Sequence, residues 1–173
     1  ANSLWKKCME VVGEEYNITP YGTEAMHVLR AEKGFIIVGQ ETDGSTTPID
    51  LGMNWIVSNK KYDFIGKRAL NRSDTIREDR KQLVGILTKN PNEVLEEGAQ
   101  LVEKQTNLPM PMVGHITSSY YSPNLKRSIA LALVKKGHKI KGSKLFAPMP
   151  EKTIEVEITD PVFIDPSNKR LSA

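Results

Sequence analysis

A single arginine carries the strongest chemical suggestion in this 173-residue chain. Arg30 sits in Leu29-Arg30-Ala31-Glu32-Lys33-Gly34, just past the apolar edge that Met26 and Leu29 would bury. A guanidinium turned inward there needs an anion or several acceptors, because an unpaired charge out of water is very costly. Its planar fork of five donors suits a carboxylate or the edge of a planar heterocycle. The residues alone favour the plainer alternative, a solvated or salt-bridged surface arginine. The loop from Gly39 to Pro48, between two apolar runs, is rich in hydroxyls and carboxylates. These could line a polar ligand site, or cap neighbouring backbone, which is commoner for Ser, Thr and Asp.

Other candidates point to bland roles. His27, His115 and His138 lack metal-ligand spacing, so no metal site is expected. Gly137-His138-Lys139-Ile140-Lys141-Gly142-Ser143-Lys144 ends in Ser-Lys and falls between expected strands, which excludes a phosphate loop. No Gly-x-Gly-x-x-Gly fingerprint supports a dinucleotide site. No nucleophile triad can be assembled, so no catalytic residue is assigned. Tyr120 and Tyr121 beside Lys126 and Arg127 could stack bases in a basic groove, but a strand end before a Pro123-Asn124 turn explains them better.

The elements that must hold these residues change character near residue 80. Leu4, Cys8, Val11 and Val12 give Ser3 to Tyr16 helical periodicity. Thr23 to Lys33 reads as a second helix, with Thr23 as N-cap and Gly34 at the C-terminal glycine position. Phe35 to Val38 is either a short buried strand or an apolar extension, and Phe64 to Asn71 reads as a short helix. Arg72 to Lys81 is highly charged. Beyond it apolar residues alternate, predicting strands over Leu83–Leu87, Gln100–Glu103, Val113–Tyr120, Ile129–Lys135, Lys144–Ala147 and Thr153–Thr159. Pro and Gly separate them, as in a small antiparallel barrel or sandwich.

With 39% hydrophobic and 26% charged residues, the composition is that of a soluble globular protein. No apolar run approaches the roughly 20 residues of a bilayer span. One cysteine, Cys8, allows no internal disulfide, and with no signal peptide visible this suggests a cytoplasmic protein with no membrane partner. Up to Arg80 the chain has 11 basic and 12 acidic residues; from Lys81 onward it has 13 and 9. That basic half reads as a solvated lysine-rich surface, and no nucleic-acid partner is expected. Because Ala1-Asn2-Ser3-Leu4-Trp5 opens directly on a helix, the expectation is a piece of a longer chain.

Several motifs, in order, resemble the aminomethyltransferase family of the glycine-cleavage T-protein. They are Leu29 to Gly34, Gly39-Gln40-Glu41-Thr42-Asp43, Thr47-Pro48-Ile49-Asp50-Leu51-Gly52-Met53-Asn54-Trp55, Phe64-Ile65-Gly66-Lys67-Arg68-Ala69-Leu70, Gly114-His115-Ile116-Thr117-Ser118-Ser119, Ser122-Pro123-Asn124-Leu125-Lys126-Arg127 and Ile129-Ala130-Leu131-Ala132. Pro20 to Gly34 and the ending Asp160 to Pro166 are more similar to the family's sarcosine-oxidase alpha-subunit branch. A T-protein or a dimethylglycine oxidase is the alternative within the family. A non-catalytic folate-binding protein or a nucleic-acid-binding barrel is the alternative outside it.

The resemblance implies an α+β fold. Residues 1–80 would be the C-terminal α/β portion of a folate-binding domain, and residues 81–173 a small antiparallel β-barrel. It implies tetrahydrofolate as ligand, with Arg30 as a folate contact, and formation of 5,10-methylenetetrahydrofolate from the carbon released by sarcosine oxidation. FAD, FMN and NAD would lie outside this chain, and the partners would be other subunits of a heterotetrameric oxidase. The family's catalytic aspartate and a folate-binding glutamate would precede residue 1, so the fragment alone is expected to be inactive. No residue around Ile164 to Asn168 matches the aromatic folate contact of T-proteins.

Overall fold

The computed structural model describes residues 1–11 and 13–171. Alternating apolar residues produce six strands: β1 Lys81–Thr88, β2 Gln100–Val102, β3 Met112–Ser122, β4 Arg127–Lys135, β5 Lys144–Pro148 and β6 Thr153–Thr159. All pair antiparallel and close into a barrel in the order β1-β4-β3-β2-β5-β6, with β6 returning to β1. Closure leaves no unpaired edge. Val84, Ile86, Leu101, Ile116, Val134 and Ile158 fill the interior and are almost wholly buried.

β4 departs from the half-buried pattern. Ala130, Ala132 and Val134 face the interior cluster, yet Ile129, Leu131 and Leu133 on the other face are buried as well. A strand apolar on both faces is one covered on both sides. The cover comes from residues 1–80 and the C-terminal tail: Ile36, Leu51 and Phe163 pack on Leu83, Leu131 and Leu133. Each such side chain taken out of water contributes about 1.5–3 kcal/mol. The tail lies so close that a Cβ on Gly85 would sit 2.3 Å from the Asp160 carbonyl oxygen.

Residues 1–80 hold helices and turns: α1 Asn2–Val11, α2 Gly13–Tyr16, α3 Thr23–Glu32 and α4 Lys67–Leu70. The helix expected over Ser3 to Tyr16 is described as two pieces, and Val12 lies outside the described residues. Gly22, not Thr23, is the N-cap of α3, and no side chain caps it. The C-terminus follows expectation: Gly34 has φ of 69°, its N–H donates to the Ala31 carbonyl, and the Phe35 N–H donates to the Arg30 carbonyl. That pair of bonds closes the helix as a Schellman motif. Phe35–Val38 forms no strand, only an isolated bridge from Val38 to Thr42. α4 is shorter than Phe64 to Asn71, because Gly66 at φ of 97° interrupts the backbone before it. Among the described residues no helix is long and apolar enough to cross a membrane.

Candidate functional site

The expected burial of α3 along Met26 and Leu29 is corrected by the structure. These side chains are 45% and 47% exposed, whereas Ala31 and Glu32 are buried. α3 packs on the outer wall of β3 and β4 through the opposite side. Arg30 nonetheless turns inward, and its side chain is only 9% exposed. The cause is a carboxylate. The turn from Ile37 to Thr42 presents Glu41, which is fully buried and accepts the Ile37 N–H at 2.7 Å.

The Arg30 guanidinium is held from several sides. Nη1 donates to Glu41 Oε2 at 3.0 Å and to the Phe35 carbonyl at 3.2 Å. Nη2 donates to Gln40 Oε1 at 3.1 Å, to Ser118 Oγ at 2.6 Å and, at 3.4 Å, to the Tyr120 hydroxyl. Ser118 in turn donates to Glu41 Oε1 at 2.5 Å, so one serine of β3 links both ends of the ion pair. The bulge between Ile116 and Ser118 brings Ser118 onto the outer wall in line with Tyr120. The guanidinium carbon lies 5.7 Å from the Tyr120 ring centroid, and His27, one turn earlier on α3, stacks on the same ring at 6.4 Å. Two buried polar atoms in this cluster have no hydrogen-bond partner: Arg30 Nε and His27 Nδ1.

Sequence reasoning singled out Arg30 but not its partners. Glu41 and Ser118 stood within the quoted motifs, yet neither was paired with Arg30. The available signal was an acid within a polar loop following an apolar run. A second buried carboxylate, Glu32, was also missed; it accepts the Ser122 hydroxyl and both oxygens accept from the Asn124 amide. That network anchors α3 to the end of β3.

The loop from Gly39 to Pro48 caps its own backbone and supplies partners to Arg30. Glu41 and Gln40 face Arg30, whereas Asp43 caps its own turn, accepting from Ser45 N, Ser45 Oγ and Thr46 Oγ1. Farther along, Asp50 accepts the Thr47 N–H and hydroxyl and the Arg80 guanidinium, at 2.7 to 3.1 Å. Burial alone would raise the Asp50 pKa, but the hydrogen bonds from Arg80 and Thr47 outweigh it and hold the carboxyl below its ordinary value.

The three histidines stay apart, and among the described residues no group of three or more His, Cys, Asp or Glu side chains could hold a metal ion. His138 is the middle residue of the 3₁₀ turn Gly137–Lys139, with Nε2 3.2 Å from the Leu83 carbonyl. Burial lowers its pKa.

Comparison with known proteins gives concordant findings. The family model described as glycine cleavage T-protein C-terminal barrel domain matches residues 81–165, and that described as GCVT N-terminal domain matches residues 1–61. The chain is 52% identical over 161 residues to sarcosine oxidase subunit alpha of Corynebacterium sp. strain P-1, covering 91% of this chain and 16% of that protein. It is 31% identical to the aminomethyltransferase of Thermotoga neapolitana, covering 98% of this chain and 44% of that protein. The chain thus spans less than half the length of each of these relatives. The solved glycine cleavage system aminomethyltransferase T of Bartonella henselae superposes with a TM-score of 0.78 at 24% identity, covering 95% of this chain and 44% of that one, and so shares the fold.

Proposed function

This chain belongs to the glycine-cleavage T-protein family of aminomethyltransferases, and on that basis we propose that it forms the C-terminal part of a sarcosine oxidase alpha subunit and contributes to its tetrahydrofolate site. Identities of 52% and 50% to the two Corynebacterium sarcosine oxidase alpha subunits, against 31% to the Thermotoga neapolitana aminomethyltransferase, support this branch of the family. We divide the chain near residue 80: residues 1–80 complete a folate-binding domain begun elsewhere, and residues 81–173 form its C-terminal barrel. In this reading tetrahydrofolate is the substrate that accepts the one-carbon unit released by sarcosine oxidation. Flavin and nicotinamide sites, and the contacts with other subunits, belong outside this chain.

The observation that carries the reading is the unspent hydrogen-bonding capacity around Arg30. Glu41 already balances its charge, and the Nη donors face five acceptors within 3.4 Å. What remains is one N–H, at Nε, and the His27 Nδ1 nitrogen, which donates or accepts according to tautomer. A buried donor without an acceptor costs about 1–3 kcal/mol, a penalty that a ligand acceptor would relieve. A pterin, with both donors and acceptors on its edge, fits that leftover set and the flanking aromatic rings. Arg30 would thus orient the ligand and not transfer protons, since a guanidinium stays charged at all working pH values.

Calorimetric titration with tetrahydrofolate tests the proposal. The complete alpha subunit should bind it, and Arg30→Lys, which keeps a cation beside Glu41 but loses the fork, should bind about tenfold more weakly. This chain by itself should bind weakly and turn nothing over. Unchanged affinity in Arg30→Lys would remove Arg30 from the site.

A further inference from the structure

The outer wall of β3 carries a second polar cluster that the folate reading does not use. His115 precedes Ser118 by three residues, which places it roughly 10 Å along the strand. β-Register sets His115 opposite Leu133, and Lys81 opposite Lys135 on the neighbouring β1–β4 pair. All four line one recess of about 390 Å³ on the barrel wall.

Two lysines directly opposite each other on adjacent strands repel, so the sheet gains nothing from them. Among the described residues neither takes part in an ion pair. Two of the three acids around the recess are paired with arginines, and the third is hydrogen-bonded within its own turn. Asp43 is taken up by its own turn, Asp50 by Arg80 and Thr47, and Asp79 by Arg77 at 3.4 Å. Lys81 Nζ lies 3.3 Å from His115 Nδ1. An ammonium can only donate, so Nδ1 accepts and the ring keeps its hydrogen on Nε2. Burial, and then the Lys81 charge, lower the His115 pKa against the opposing charge of Asp43. The recess therefore offers two ammonium groups outside any ion pair and one imidazole N–H, with Asp43 the one acid of its lining that no cation pairs.

We propose that Lys81, Lys135 and His115 bind a small oxyanion, a carboxylate or a phosphate, in this recess on the barrel wall. The site is separate from the Arg30 cluster and stands whether or not Arg30 contacts folate. An exposed lysine pair cannot by itself bind tightly, because solvent and salt screen it; the partly buried Lys81 and the neutral imidazole give the site its shape.

The test is an NMR titration of the full chain at constant ionic strength, following the His115 imidazole signals. Inorganic phosphate is one arm and glutarate the other, with sodium chloride as the control. Saturable shifts that chloride does not reproduce are expected, and the arm that saturates first identifies the oxyanion. Lys81→Gln with Lys135→Gln should weaken binding about tenfold or more. Lys135→Gln alone, at an exposed position that leaves the fold intact, should weaken it about threefold. Shifts that never saturate, or saturation unchanged in the Lys135→Gln variant, would overturn the proposal.

Discussion

Arg30 and Arg80 occupy nearly equivalent environments and differ in what each leaves unpaired. Their side chains are 9% and 10% exposed, beside carboxylates that are 0% and 3% exposed. Arg80 spends all three nitrogens: Nε on both Asp50 oxygens, Nη2 on Asp50 and the Ser45 carbonyl, and Nη1 on the Asp74 carboxylate and carbonyl. Arg30 leaves Nε without a partner. The Arg80 region is thus closed. It ties the 45–50 turn to the entry of β1, where the Leu83 N–H donates to the Asp50 carbonyl at 2.8 Å. The Arg30 region is open by one donor. Burial beside a carboxylate is common to both regions; under the proposed function, the leftover donor is what distinguishes Arg30.

The largest effect should come from deleting each cation. Arg80→Ala and Arg30→Ala both leave a buried carboxylate uncompensated, which costs about 3–5 kcal/mol. Urea denaturation of both variants checks this. If Arg30→Ala costs under about 1 kcal/mol, the two regions are not alike in stability and the comparison breaks.

A smaller and more telling difference should appear with lysine. Arg80→Lys loses its contacts to Asp74 and Ser45, about 1–3 kcal/mol, and should leave tetrahydrofolate binding unchanged. Arg30→Lys should shift the balance the other way, with a modest loss of stability and about a tenfold loss of affinity. Measuring melting and titration on both proteins sharpens the contrast, and equal affinity losses would erase it. Tyr120→Phe should cost less again, about 0.5–1 kcal/mol of stability, because its hydroxyl accepts from Arg30 at a long 3.4 Å while the ring contacts persist. A stability loss as large as that of Arg30→Ala would mean that the hydroxyl, not the ion pair, holds the cluster.

How much of this was legible depended on the range of the interactions. Strands β1 to β6 were readable because period two is a local signal, and β6, Thr153–Thr159, has the expected ends. The Schellman end of α3 was readable from Gly34 alone. The burial of α3 was not. Met26 and Leu29 obey helical periodicity yet face outward, since the surface that α3 covers is set by Ser118, Ser122 and Asn124, some 90 residues away in sequence. The inward turn of Arg30 was foreseen as one of two alternatives, but for another reason. The decisive partner, Glu41, lies eleven residues on, beyond the reach of one helix turn, and comes close only because Gly34 and Gly39 fold the chain back. Phe35–Val38 reads locally as either a strand or an apolar extension, and it is the extension. Its β-branched composition suits a strand, but the barrel is already closed and offers no edge to pair with.

The closed region should also lose stability in acid. The Asp50 pKa is depressed in the folded chain, chiefly because Arg80 and Thr47 overcome the cost of burial. Such a carboxylate contributes stability that is fully present above its unfolded pKa of about 3.9 and is lost as pH falls through the folded value. His138 and His115 are depressed as well, both mainly by burial. The fold favours their neutral forms, so their contribution is present above about pH 6.5 and declines as pH falls below it. Acid titration of stability should therefore show two windows. His138→Gln should remove part of the upper one, the rest belonging to His115, and Asp50→Asn should narrow the lower one. The advantage of the parent chain over Asp50→Asn should shrink below about pH 4 and hold constant above pH 5. A gap that instead widened on acidification would mean that Asp50 is protonated more easily in the folded chain, and that Arg80 does not close this region at all.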